Sequence, residues 1–251
     1  MGEMGDGSGG RGGSLGPLLR SALGLPLLGF VGCALLLGLR IAISGKVSYT
    51  YLAWNLFLAL VPYVVAAAGS FAVRRAAPGR RRALAAAPVA FLWLVFFPNA
   101  PYIFTDFIHV FNRTFLRARP SDWLGLNALV WYDILMNAAF AFIGHFMGLV
   151  SLWTIGRAAR AAWGRAAANA LQLLAILLAG FGIYLGRFSR LNSWDVVADP
   201  RRVVAEIAEA TADPKALLFS AAFSAFILLS YAALALFKAM PDPLAEPGRP
   251  S

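Results

Sequence analysis

The chain has 251 residues, 60% of them hydrophobic and 14% charged, with a mean hydropathy of +0.69. A soluble domain has no way to bury so much apolar surface, so the composition excludes one and describes a chain that crosses a membrane several times. The net charge of +10 does not point to nucleic acid, because the basic residues sit in short segments beside apolar stretches, where topology and anionic lipid account for them.

Residues 1–16 are glycine-rich with almost no apolar content, and residues 240–251 hold four prolines. Both read as disordered tails flanking a single transmembrane domain over 17–239. Six apolar stretches lie between them, at 18–39, 49–73, 83–105, 124–153, 166–186 and 215–238. Each is long enough to span, which predicts an all-α polytopic bundle. The first runs well past the roughly 7–15 apolar residues of a signal peptide and reads as an uncleaved anchor. The lone cysteine, Cys33, lies within that run, so the chain forms no internal disulfide.

Lysines and arginines set the orientation. With the N-terminus inside, the short loops 74–82 and 157–165 carry eight positives, against five in 40–48 and 106–123. The expected localisation is therefore a multi-pass protein of the cell membrane with both termini cytoplasmic.

The third stretch does not end as a plain span. It closes with FFPNAPYIFTDF (96–107), where Pro98 and Pro101 lack N–H groups and free the carbonyls of Leu94 and Phe97. Freed carbonyls in hydrocarbon need partners. The spacing predicts a helix that breaks near Phe97, pushed out of helical geometry by the following proline, and restarts with Asn99 as its N-cap. A proline kink that only shapes packing is the plainer alternative.

The same outer side collects the other unusual residues: Tyr49, Tyr51, Trp54 and Asn55 in the second span, Trp131, Tyr132 and Asp133 in the fourth, and YLGRFSRLNSWD (184–195) leaving the fifth. An aromatic belt explains Trp and Tyr alone, but not the amides and charges. Between Asp195 and Asp213 the chain is too charged to span. Valines and Ile207 recur there at helical spacing, with Asp199–Pro200 as N-cap and first residue, so a short amphipathic helix on the surface precedes the last span. It lids a site, rests on lipid or is a plain connector.

The blocks YLAWNLFLA (51–59), LWLVFFPNAPYIFTDFIH (92–109), WYD (131–133) and GFGIYLGRFSRLNSWD (180–195) resemble a family of bacterial membrane proteins catalogued as domain of unknown function 1361. The resemblance runs from the second to the fifth span and implies a shared multi-span fold. It implies no activity.

Asp133 follows two aromatics in an apolar helix, where a carboxylate is expensive unless paired. Arg187 at the end of the fifth span is its expected partner, the two spans being consecutive and antiparallel. Arg190 falls one turn on, and two guanidiniums on one face suit a carboxylate or phosphate; their plainer role is snorkelling to head groups. Asp106 and His109 stand one helical turn apart and with Asp133 and Asp195 form a weak mixed metal set. His145 lies about 18 Å along the helix from Asp133 and is expected to bond a neighbouring helix instead. Thr105, Ser189 and Ser193 are near acids or His109, but neither a nucleophile elbow nor a phosphate-binding glycine loop is present. The residues name no cofactor.

Three functions fit these signals. The first is an outward-facing site for an anionic, lipid-linked substrate, bound through Asn99, Tyr102, Tyr132, Tyr184, Arg187, Arg190, Asn192 and Trp194, with Asp106 or Asp133 as acid, base or metal ligand. The second is a small transporter or channel with Asp133 as its proton or cation site. The third is a non-catalytic assembly partner. The inner halves of the second, third and fifth spans are Ala, Leu, Val and Phe, which favours a one-sided site over a path through the membrane.

Overall fold

A computed structural model describes residues 15–114 and 128–240. Among them no strand occurs, and six helices are long and apolar enough to cross a membrane. The spans are α1 (Leu15–Ser44), α2 (Thr50–Arg75), a third unit comprising α3 (Arg80–Phe96), α4 (Asn99–Tyr102), a 3₁₀ turn (Ile103–Asp106) and α5 (Phe107–Thr114), then α6 (Ala128–Trp163), α7 (Arg165–Tyr184) and α10 (Pro214–Ala239). Between the last two lie a π turn (Leu185–Ser189), α8 (Asp195–Ala198) and α9 (Pro200–Ala212). The protein is an all-helical, multi-span membrane bundle. Of the two expected tails, residues 1–14 and 241–251 fall outside the described residues.

The helix α6 is the hub. Its most apolar window is 56% buried, against 17% for α1 and for α10, and it touches α1, α2, α7, α10 and every piece of the broken third unit. Glycine explains how the broken third unit reaches it: a Cβ at Gly148 would sit 2.7 Å from that of Ala100, and one at Gly144 3.2 Å from Ile103. On the other flank, a Cβ at Gly182 of α7 would meet Pro98 at 2.9 Å, so the proline ring seats where a side chain would stand. Small residues at such contacts let backbones pack closely where no hydrophobic drive exists between helices. Phe97 is consequently fully buried against α6 and α7, and Ala100 and Ile103 against α2 and α6.

Two boundaries differ from the sequence reading. Residues 157–163, expected in a loop, continue α6 as far as Trp163. The run GRAARAAW is alanine- and arginine-rich, among the strongest helix formers, and stops only at Gly164, whose φ of 87° suits a residue without a Cβ. At the third span, the residue before Pro98 is not expelled from helical geometry. Phe97 keeps φ −56° and ψ −38°, and Pro98 itself lies at −58° and −26°. Tertiary contacts at Gly148 and Gly182 hold this turn compact, overriding the local preference.

The amphipathic helix before the last span is α9, and it starts as read: Pro200 is its first residue, and Asp199 Oδ1 accepts from Arg202 N at 3.2 Å. The same device opens α10, where Asp213 accepts from Lys215 N at 2.9 Å ahead of Pro214.

Candidate functional site

The proline break is closed by side chains rather than left open. Asn99 does not cap the following helix; its amide turns back and donates to the carbonyl of Phe96 at 3.0 Å and to Ser193 Oγ at 2.9 Å. Ser193 in turn donates to the carbonyl of Val95 at 2.9 Å. The Phe96 carbonyl is thus met from within the broken span and that of Val95 from the chain leaving α7, which satisfies buried acceptors and, with the Asn99–Ser193 bond, ties two segments together. The partner segment is irregular for the same reason. The end of α7 widens into a π turn at Leu185–Ser189, and Arg190 follows in left-handed geometry, φ 54° and ψ 36°. Both features cluster at functional sites, where the surroundings must hold them.

Between α2, the broken span and this irregular segment lies a cavity of about 750 Å³. Asn99, Tyr102, His109, Arg187, Arg190 and Asn192 line it, so six of the residues singled out by sequence converge on one space. Helicity does not continue from Arg187 to Arg190, as their spacing suggested; the π turn and the left-handed residue bring both to the cavity by another route. Trp54, Ile108 and Val196 also line it and are each more than 40% exposed, giving the cavity an apolar margin on the outside of the bundle. Val203 of α9 lines another side.

Behind the lining sits Asp106, 2% exposed. Its Oδ2 accepts from Asn55 Nδ2 at 2.6 Å, and its Oδ1 lies 3.6 Å from Arg187 Nη1. Arg187 Nη2 is also 3.4 Å from His109 Nε2, and the His109 ring packs against Tyr51 with centroids 4.7 Å apart. The guanidinium therefore occupies the space shared by the carboxylate and the imidazole. A metal held by Asp106 and His109 would have to displace it, and among the described residues no three His, Cys, Asp or Glu side chains come together.

Asp133 is elsewhere. It is paired with Arg40 of α1 through one edge of the guanidinium, Nε to Oδ1 and Nη2 to Oδ2 at 3.0 Å, and Tyr49 Oη donates to Oδ2 at 2.9 Å. The expected pair with Arg187 does not form, because α6 has α1 and α7 as separate neighbours and turns Asp133 toward the first. Such a bidentate pair with a further donor is the geometry a charge needs inside a membrane. Tyr132 belongs to the same seam, its hydroxyl donating to the carbonyl of Leu36 at 2.7 Å. Tyr184, Trp194 and Asp195 also stand outside the cavity lining. Tyr184 stacks on Phe188 and reaches Asp213 at 3.5 Å, Trp194 is 44% exposed, and Asp195 accepts from the backbone of Asn192 at 2.7 Å.

His145 departs from expectation as well. Its Nε2 has no hydrogen-bond partner among the described residues; the ring is held by Phe104 at 5.4 Å and Phe226 at 4.8 Å instead. Sequence reasoning missed Arg40 as a site residue because it counted as a loop charge. It also passed over Ser193 as a nucleophile without an elbow, when its role is to close the proline break.

No curated protein and no solved structure matches the chain. A family match covers residues 54–230, from the start of the cavity wall in α2 to the middle of α10. It includes every residue lining the cavity. The chain belongs to the family described as Protein of unknown function (DUF1361).

Proposed function

We propose that the cavity binds the anionic head of a lipid-linked molecule on the outer face of the cell membrane. Arg190 carries the reading. It lines the cavity from a strained backbone position, it is exposed, and no ion pair or hydrogen bond to its guanidinium occurs among the described residues. A cation held in an expensive conformation, facing a cavity and lacking an acid, is complementary to a ligand's negative charge. Arg187, braced by Asp106, adds a second guanidinium, and the amides of Asn112 and Asn192 add hydrogen-bonding capacity. The apolar margin of Trp54, Ile108 and Val196 leaves the tail an exit to the bilayer. Asp106, with one oxygen taken by Asn55 and the other beside Arg187, acts through that arginine.

A transport path is less well supported. Below the cavity, the seam between the broken span, α6 and α7 is filled by Trp93, Ile155, Ile176, Ala179 and Ile183, all 2% exposed or less. Asp133 has both oxygens engaged by Arg40 and Tyr49. Lipids carried through purification test the reading. Wild-type protein should retain an anionic lipid that Arg190→Gln loses by about tenfold to a hundredfold, the worth of one charge-assisted hydrogen bond. Equal retention by both would remove the site.

Orientation is tested separately. In a Cys33→Ser background, Val47→Cys at the cavity end should react with an impermeant thiol reagent in intact cells, and Ala77→Cys at the opposite end should not. Both positions are exposed. The reverse pattern would put the cavity in the cytoplasm.

A further inference from the structure

We propose that the end of the bundle away from the cavity carries a second site, formed by Trp153, Arg157, Arg160 and Lys238, which holds the phosphodiester headgroup of an anionic phospholipid. Every described carboxylate, from Asp106 to Asp213, lies at the cavity end. Among the described residues the charged groups of the opposite end are all cations: five between Arg74 and Arg82, three between Arg157 and Arg165, and Lys238. Two of them converge on one ring. Arg157 of α6 stands 4.8 Å from the centre of the Trp153 indole, and Lys238, arriving from the last turn of α10, stands 3.9 Å from it. Two cations drawn to one indole gain from its quadrupole but repel each other, and among the described residues no acid lies at this end to offset that. A phosphate between them removes the conflict.

The surroundings fit a lipid better than a free anion. At 3.6 residues per turn, Phe142, Phe146, Trp153, Arg157 and Arg160 fall within about 60° of one another on α6. Phe142 and Phe146 are 64% and 42% exposed, while Arg157 and Arg160 are exposed at the helix end. The stripe is thus apolar along the span and basic at its end, with the indole at the boundary, the distribution of a phospholipid itself.

The test is native mass spectrometry of protein recovered from nanodiscs of equal parts phosphatidylglycerol and phosphatidylcholine. Wild-type protein should carry phosphatidylglycerol in preference. The double variant Arg157→Gln with Lys238→Gln should lose about thirtyfold of that preference, at about fivefold per basic residue near the surface. Arg80→Gln with Arg81→Gln, which removes equal charge from the same end, should keep it. Equal losses in the two pairs would reduce the effect to diffuse attraction and overturn the site, as would absence of preference in the wild type. Displacement of the lipid by inorganic phosphate would make it a plain anion site and overturn the lipid assignment. If the double variant does not fold, Lys238→Gln alone, at an exposed helix end, should lose about fivefold while Arg157→Lys loses little; no change in Lys238→Gln would equally overturn the proposal.

Discussion

Replacing Asp133 with alanine is expected to destabilise the protein by about 3–5 kcal/mol, because it strands the Arg40 guanidinium between α1 and α6. Arg40→Ala should cost a similar amount, leaving the carboxylate with Tyr49 as its remaining partner. The double variant removes both charges and should lose much less than the two single losses together. A double-mutant cycle on thermal unfolding in detergent measures the coupling. The same cycle run on Asp133 and Arg187 should be additive within about 0.5 kcal/mol, since the two belong to separate clusters. Because α1 buries little else, weakening this pair should loosen α1 first, visible as faster labelling of buried Cys33.

The second large effect is expected at Arg187. Its loss leaves Asp106, 2% exposed, with Asn55 as its side-chain donor among the described residues. Arg187→Ala should therefore destabilise by about 3–5 kcal/mol, as for any buried pair broken on one side. Adding Asp106→Asn should restore most of that stability, because the amide oxygen still accepts from Asn55 and no charge is stranded. It should not restore ligand retention, since the guanidinium facing the cavity is still missing. Recovery of both together would mean that Arg187 serves the fold alone.

Much of this architecture is legible in the sequence, for definite reasons. Apolar runs of spanning length leave a polytopic helical bundle as the solution that satisfies the backbone. Pro98 and Pro101 mark the broken span, and Asp199–Pro200 marks the start of α9, because each acts through its own backbone. Trp54, Asn55, Asn99, Tyr102, Arg187 and Arg190 of the cavity were among the polar or aromatic groups visible at one end of the spans. What was not legible depends on which helix faces which. The partner of Asp133 was sought on the next span in sequence, but α6 is central and borders all five other spans, so order along the chain does not choose among them. Asn99 likewise read as a helix start, because its partner Ser193 lies 94 residues away and local rules carry no information about it. Arg190 could be placed at the site, but its left-handed backbone could not be foreseen in a residue other than glycine.

Titration of the detergent-purified protein with farnesyl phosphate and with farnesol, followed by its unfolding temperature, tests the cavity most directly. The two probes share a tail and differ in the charged head. Farnesyl phosphate should raise the unfolding temperature of the wild type, farnesol should not, and Arg190→Gln should abolish the response while leaving the unliganded midpoint nearly unchanged. An equal rise with the alcohol, or an undiminished rise in Arg190→Gln, would contradict an anionic head held by the arginines of this cavity.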